Sequence, residues 1–187
     1  MDINTITPVI TQFNNFIDSL IEDFKQYNLD EETLAFLVGK TRNFIDFSQL
    51  TLLNVIFGIL NKLEEAGYDF SDEIKEAKNI INQIFERINQ SLDIILPEEE
   101  EEEHIHDHGH GHHHHHHHID VESVQGDVEK VVANLKSLKK LIGEIVNIAL
   151  STLKYQANEI NQTVFDKEYE NFRDNMKNFK QEFEKEE

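Results

Sequence analysis

The stretch VESVQGDVEKVVANLKSLKKLIGEIVNIALST, residues 121–152, decides the fold. Its apolar residues recur at alternating steps of three and four, a spacing that places them on one face of an α-helix. Lys136, Lys139 and Lys140 lie off this face, where a solvated side is expected. The apolar stripe consists of Val121, Val124, Val128, Val131, Leu135, Leu138, Ile142, Ile145, Ala149 and Thr152.

Four other segments show the same helical spacing, and no segment alternates with the period of two that a strand requires. The last stripe is a coiled-coil-like seam of aromatic residues, which either closes the bundle or reaches a second protomer. The predicted core positions are Ile10, Phe13, Ile17, Leu20 and Phe24 in the first segment, Leu37, Ile45, Leu52, Val55, Ile56, Ile59 and Leu63 in the second, Ile74, Ala77, Ile81, Ile84, Ile88, Leu92 and Ile95 in the third, and Phe165, Tyr169, Phe172, Met176, Phe179 and Phe183 in the last.

Helix boundaries are marked by capping residues and by the few prolines and glycines. Thr7-Pro8 predicts an N-cap followed by the first residue of a helix. Asp30 and Ser71 predict the caps of two more helices, and Gly67 predicts a left-handed C-terminal cap. Bends or ends within the two longest helices are expected at Gly39, Gly126 and Gly143.

The sequence therefore predicts an all-α bundle of about five amphipathic helices with coiled-coil-like seams. Residues 1–97 would supply the N-terminal helices, and residues 120–187 would supply C-terminal helices that complete the same bundle. Between them, residues 98–119 would form a long acidic and His-rich loop. We expect this loop to be disordered without a ligand, because it has almost no apolar side chains to bury.

Charge and composition exclude several classes of function. The chain has 37 acidic and 17 basic residues, a formal net charge of −20, which argues against binding to nucleic acid or to an anionic membrane surface. It has no cysteine, so thiolate metal sites and disulfides are excluded. The most apolar window, residues 50–60, is too short to span a bilayer, and the N-terminus lacks the pattern of a signal peptide. We therefore expect a cytoplasmic protein with no transmembrane segment.

All eleven histidines lie between residues 104 and 118, directly after a run of six glutamates, Glu98–Glu103. Neutral imidazole is a common ligand of Ni²⁺, Zn²⁺ and Cu²⁺, and histidines one or two residues apart in a chain can converge on one ion. The carboxylates nearby raise the local concentration of cations. The predicted metal ligands are His104, His106, Asp107, His108, His110, His112, His113, His114, His115, His116, His117 and His118.

The His-rich stretch resembles those of nickel- and zinc-handling proteins, such as metallochaperones and the cytosolic loops of zinc transporters. The resemblance covers only these residues, and it implies metal handling without implying a fold or a partner. The ferritin-like Glu-x-x-His pattern is absent. The alternatives are a purification tag, a low-complexity linker and a pH-responsive element.

The sequence indicates no enzyme, because no nucleophile has a nearby histidine and no phosphate-binding loop is present. The favoured interpretation is a non-enzymatic protein that sequesters or delivers nickel or zinc. The alternative is a structural or interaction protein that forms a homo-oligomer, binds a helical partner or coats an apolar surface, with the His tract as a linker or tag.

Overall fold

The computed structural model describes residues 2–97 and 119–186, and these residues contain five helices and no strand. The all-α bundle predicted from the sequence is thereby confirmed. The helices are α1 (Ile3–Phe24), α2 (Glu31–Ala66), α3 (Ser71–Ile95), α4 (Gln125–Gln156) and α5 (Gln162–Lys185).

Most of the stretch 121–152 lies in α4, which is at the centre of the bundle and contacts all four other helices. Leu135, Leu138 and Ile145 of its stripe are completely buried. Helix α1 runs antiparallel to α4, because Ile3 lies near Leu153 and Phe24 lies near Val128. The buried apolar side chains of all five helices form one continuous core.

Helices α2 and α3 form an antiparallel pair, with Arg42 against Asp93 at one end and Lys78 over the ring of Phe57 towards the other. Helix α5 returns along α4, and Tyr155 stacks on the ring of Phe165 beside their connection. The predicted aromatic seam of α5 closes the bundle within this chain. Its buried members are Phe165, Phe172, Met176, Phe179 and Phe183.

Helix α2 is irregular at two places. It is α-helical over Glu31–Phe47, widens to a π-helix over Ser48–Leu52, returns to an α-helix over Leu53–Asn61 and tightens to a 3₁₀-helix over Lys62–Ala66. Gly67 follows with φ of 91°, which confirms the predicted left-handed cap. The predicted bends at Gly39 and Gly143 are wrong, because both lie inside regular α-helix, and Gly126 is the second residue of α4.

Three predicted helix starts differ from the structure. Helix α1 begins at Ile3, where the carboxylate of Asp2 accepts a hydrogen bond from the N–H of Thr5 at 3.0 Å, so Pro8 lies inside the helix. Ser71 is the first residue of α3 rather than its cap, and its N–H donates to the carboxylate of Asp69. Helix α4 begins at Gln125, after a turn that contains the first valines of the stripe. The Asp30 cap is confirmed by a hydrogen bond of 2.7 Å from the N–H of Thr33.

Among the described residues, α2 is the one helix long and apolar enough to cross a membrane by length and composition. Half of its most apolar window is buried inside the bundle. The core helix of a water-soluble bundle has the same properties, so length and composition do not assign α2 to a membrane.

Candidate metal-binding segment and its attachment to the bundle

The metal ligands predicted from the sequence all lie outside the described residues. They belong to the stretch between Pro97, which follows α3, and Ile119, which precedes α4. The residues concerned are His104, His106, Asp107, His108, His110, His112, His113, His114, His115, His116, His117 and His118.

The described helices offer no competing transition-metal site. Within residues 2–97 and 119–186, no group of three or more acidic side chains is placed to hold a metal ion. Since the chain has no cysteine and all its histidines fall in residues 104–118, the described part has no side-chain imidazole or thiolate donor. An imidazole ligand for a borderline ion would therefore have to come from the stretch between Pro97 and Ile119.

The chain entering this stretch is held against α2 by Arg42. Nη2 of Arg42 donates to Oδ1 of Asp93 at 2.9 Å and to the carbonyl oxygen of Leu96 at 3.3 Å. The Arg42 side chain is mostly buried, and Ile95 beside it is in the core. Because the carbonyl of Leu96 is one of those left free at the end of a helix, this hydrogen bond fixes the backbone immediately before Pro97.

The chain leaving this stretch is held by the first turn of the same helix. The N–H of Ile119 donates to Oε1 of Glu31, in the first turn of α2, at 2.8 Å, and the Ile119 side chain is only 5% exposed. The carbonyl of Asp120 then accepts hydrogen bonds from the N–H groups of Ser123 and Val124, which form the turn into α4. Residues 119–124 are therefore seated on the bundle.

The two attachment points lie close together compared with the length of chain between them. Glu31 and Arg42 are eleven residues apart on α2, a rise of roughly 16 Å. Residues 98–118 number 21, and a chain of that length can extend to roughly 70 Å. The stretch can therefore turn back on itself, as several donors must do to meet at one ion.

Acidic side chains surround both attachment points, namely Asp30, Glu31, Asp93, Asp120 and Glu122. Hydrogen bonds from Thr33 hold the pKa of Asp30 below its ordinary value, so this carboxylate stays ionised. These described carboxylates give this end of the bundle a negative charge, which favours cations over anions.

Another concave region, a groove of about 480 Å³, lies between α3 and α5. Its charges pair across the two helices, Arg173 with Glu73 at 2.7 Å and Lys180 with Glu76 at 3.1 Å. The carboxylate of Glu73 raises the pKa of Arg173, which stays a fixed cation. The two ion pairs that cross the groove therefore link α5 to α3.

Sequence reasoning missed Arg42 and Glu31 as the residues that hold the stretch in place. Glu31 was expected only as an acidic residue near the positive end of a helix dipole. Arg42 is one of only three charged residues between positions 33 and 61, and that scarcity of charge in the most apolar segment is the signal that could have marked it.

Comparison of the chain with protein-family models, with curated proteins and with solved structures found no match. Its function is therefore inferred from its own residues.

Proposed function

We propose that this protein is a non-enzymatic metal-binding protein that sequesters or delivers Ni²⁺ or Zn²⁺ through the histidines of residues 104–118. The observation that carries the proposal is the placement of all eleven histidines of the chain in that one stretch. The fixed attachments of Leu96 to Arg42 and of Ile119 to Glu31 support it, because they leave a long segment between two nearby points.

Metal binding at this stretch follows from the nitrogen donors of the imidazole side chains. Each ion needs two to four nitrogen donors, and the stretch offers many overlapping sets of them, with Asp107 and the glutamates as oxygen donors. Overlapping sets favour the binding of several ions with modest selectivity. Copper would bind most tightly by the general order of affinity, so availability in the cell would decide between nickel and zinc.

The bundle acts as a carrier whose folding does not depend on the ion. Its core is built from apolar side chains of all five helices, and no described metal ligand contributes to it. This differs from zinc fingers, in which metal binding supplies the free energy of folding. We therefore expect the helices to be folded both with and without metal.

Isothermal titration of the full chain with Ni²⁺ and Zn²⁺ tests the proposal. The ions should bind near pH 7.5 and be released near pH 5, because an imidazole with a pKa of about 6.5 must lose its proton to bind metal. A variant with all eleven histidines replaced by serine should lose the binding. The matched control replaces Glu98–Glu103 with glutamine, which should retain the sites and lower their affinity. Equal affinity in the histidine-free variant would contradict the proposal.

A second candidate is an interaction protein in which the His stretch is only a linker or a tag. The observation that favours it is an exposed apolar surface on α2, where Phe36 and Leu50 are 64% and 72% exposed. If this candidate is correct, deletion of residues 104–118 would leave binding to the partner intact. If the metal-binding proposal is correct, the same deletion would abolish the function of the protein.

A further inference from the structure

Helix α2 contains one residue more than a regular α-helix needs to keep its buried face in line. In a regular helix, residues on the same face follow a given position at three, four, seven and eight places. After the buried Ser48, the next buried residues follow at four, five, eight and nine places. They are Leu52, Leu53, Ile56 and Phe57, and each is displaced by the same single residue.

The π-helical segment Ser48–Leu52 takes up this extra residue. The N–H of Leu53 donates to the carbonyl oxygen of Ser48, five residues back rather than four. A π-turn holds more residues than an α-turn, so the helix rotates less per residue along this segment. Without it, the helix after Leu53 would be turned by one residue, roughly 100°, and would direct part of its apolar face to solvent.

The wider turn also leaves a polar atom without a partner in the core. The side chain of Ser48 is completely buried, and its hydroxyl oxygen has no hydrogen-bond partner among the described residues. By contrast, the buried hydroxyl of Thr41 donates to the carbonyl oxygen of Leu37 at 2.7 Å. An unpaired buried hydroxyl disfavours the packed state relative to one in which water reaches it. Ser48 therefore favours opening of α2 at this point.

The two halves of α2 on either side of this segment pack on different helices. The N-terminal half (Glu31–Phe47) packs mainly on α1 and α3. The ring of Phe44 in this half lies 5.5 Å from that of Phe13 and 5.2 Å from that of Phe16 in α1. The C-terminal half (Leu53–Ala66) packs on the central helix α4. Because the partners differ, one half can lose its contacts while the other keeps its own.

Both side chains that hold the ends of the His-rich stretch belong to the N-terminal half of α2. The carboxylate of Glu31 accepts a hydrogen bond from the N–H of Ile119, and Arg42 donates to the carbonyl oxygen of Leu96. The C-terminal half takes part in neither hydrogen bond. Separation of the N-terminal half from the bundle therefore breaks both of them in one step.

We propose that the π-helical segment is a hinge that divides α2 into two cooperative units. The N-terminal half opens from α1 and α3 as one unit, while the C-terminal half stays packed on α4. Opening admits water to the hydroxyl of Ser48 and frees the carbonyl of Leu96 and the N–H of Ile119 together. The bundle thus has a state in which both attachments are made and a state in which both are released.

Amide hydrogen exchange of the full chain, measured by NMR with EDTA present, tests the division of α2. The protection factors of Leu37 and Val38 in the N-terminal half should be at least about tenfold lower than those of Ile56 and Leu60 in the C-terminal half. All four residues are buried, so exposure in the packed state does not cause the difference. Equal protection of the two halves would overturn the hinge.

Deletion of Thr51, an exposed residue of the π-helical segment, tests whether this segment is the boundary. The deletion returns the buried residues after Ser48 to steps of three, four, seven and eight, so α2 can become a regular helix with both buried faces in line. The protection factors of Leu37 and Val38 should then rise to within about threefold of those in the C-terminal half. A difference that persists after the deletion would contradict the hinge.

The matched control is deletion of Asn43, an exposed residue in the regular part of the N-terminal half. This deletion disrupts the spacing that the deletion of Thr51 restores. The urea midpoint should therefore fall well below that of the wild type without Asn43, and should stay at or above it without Thr51. Equal losses for the two deletions, or a Thr51-deleted chain that does not fold, would show that α2 contains no extra residue.

Ser48→Ala tests the contribution of the buried hydroxyl. It removes the group that gains water when α2 opens, so the protection factors of Leu37 and Val38 should rise about fivefold. Thr41→Val is the matched control, because the Thr41 hydroxyl already has a partner and its loss should give no increase. Protection that is unchanged in Ser48→Ala would mean that opening does not reach Ser48, which would overturn the hinge. All these measurements are made without metal, so their outcome is independent of the proposed metal binding.

Discussion

The central position of α4 predicts a large loss of stability when one of its buried side chains is shortened. Ile145 is completely buried and lies in the apolar stripe that decides the fold. Replacing it with alanine removes three carbon atoms. At about 0.8 kcal/mol for each, the lost transfer free energy is roughly 2.4 kcal/mol. The cavity left behind adds to this, so the free energy of unfolding should fall by about 3–4 kcal/mol.

The assay for Ile145→Ala is urea unfolding followed by circular dichroism at 222 nm. The midpoint should fall while the slope stays unchanged, because the surface exposed on unfolding is nearly the same. Val164→Ala is the matched control, because Val164 is a 44% exposed apolar residue of α5, and it should cost less than about 1 kcal/mol. A loss below about 1 kcal/mol for Ile145→Ala would refute the central role of α4.

Three further predictions concern the charges and hydrogen bonds at the ends of the helices. Because hydrogen bonds from Thr33 lower the pKa of Asp30, its contribution to stability is present above the ordinary carboxyl pKa and is lost as the pH falls below it. Asp30→Ala should therefore flatten the change in urea midpoint between about pH 5 and 3. Tyr68→Phe removes the hydrogen bond to Asp166 and should cost about 1 kcal/mol in the same unfolding assay. Arg42→Ala should cost about 1 kcal/mol and leave the number of bound metal ions in a titration unchanged, since the histidines supply the ligands.

The helices could be predicted because their stripes are long and regular. The stripe from Val124 onwards and the aromatic seam of α5 proved to be core, with Val121 and Tyr169 only partly buried, since apolar side chains at helical spacing have no other way to leave water in a bundle. The positions of Asp30 and Gly67 followed from local chemistry, a carboxylate that accepts from nearby N–H groups and a residue that tolerates positive φ.

The missed boundaries have a common physical cause. In each case a nearby aspartate accepts a hydrogen bond from one of the first backbone N–H groups. Asp2 accepts from Thr5, so α1 starts before Thr7-Pro8. Asp69 accepts from Ser71, so α3 starts at Ser71 itself. The π-helical segment at Ser48–Leu52 likewise has no sequence signal of its own.

The attachments of the His-rich stretch could not be predicted because they join distant residues. Glu31 and Ile119 are 88 residues apart, and Arg42 and Leu96 are 54 apart. Each depends on the register between α2 and the ends of α3 and α4, which only the packed bundle defines. The candidate ligands, by contrast, were evident at once from composition, because all the histidines are adjacent in the chain.

The most direct test of the metal-binding proposal is the metal content of the purified full chain after equilibrium dialysis against micromolar Ni²⁺ or Zn²⁺ at pH 7.5. We expect more than one ion bound per chain, with a circular dichroism spectrum that matches that of the metal-free protein. A chain that emerges without metal would contradict the proposed function, and helices that form only when metal is added would contradict the separation of the bundle from the site.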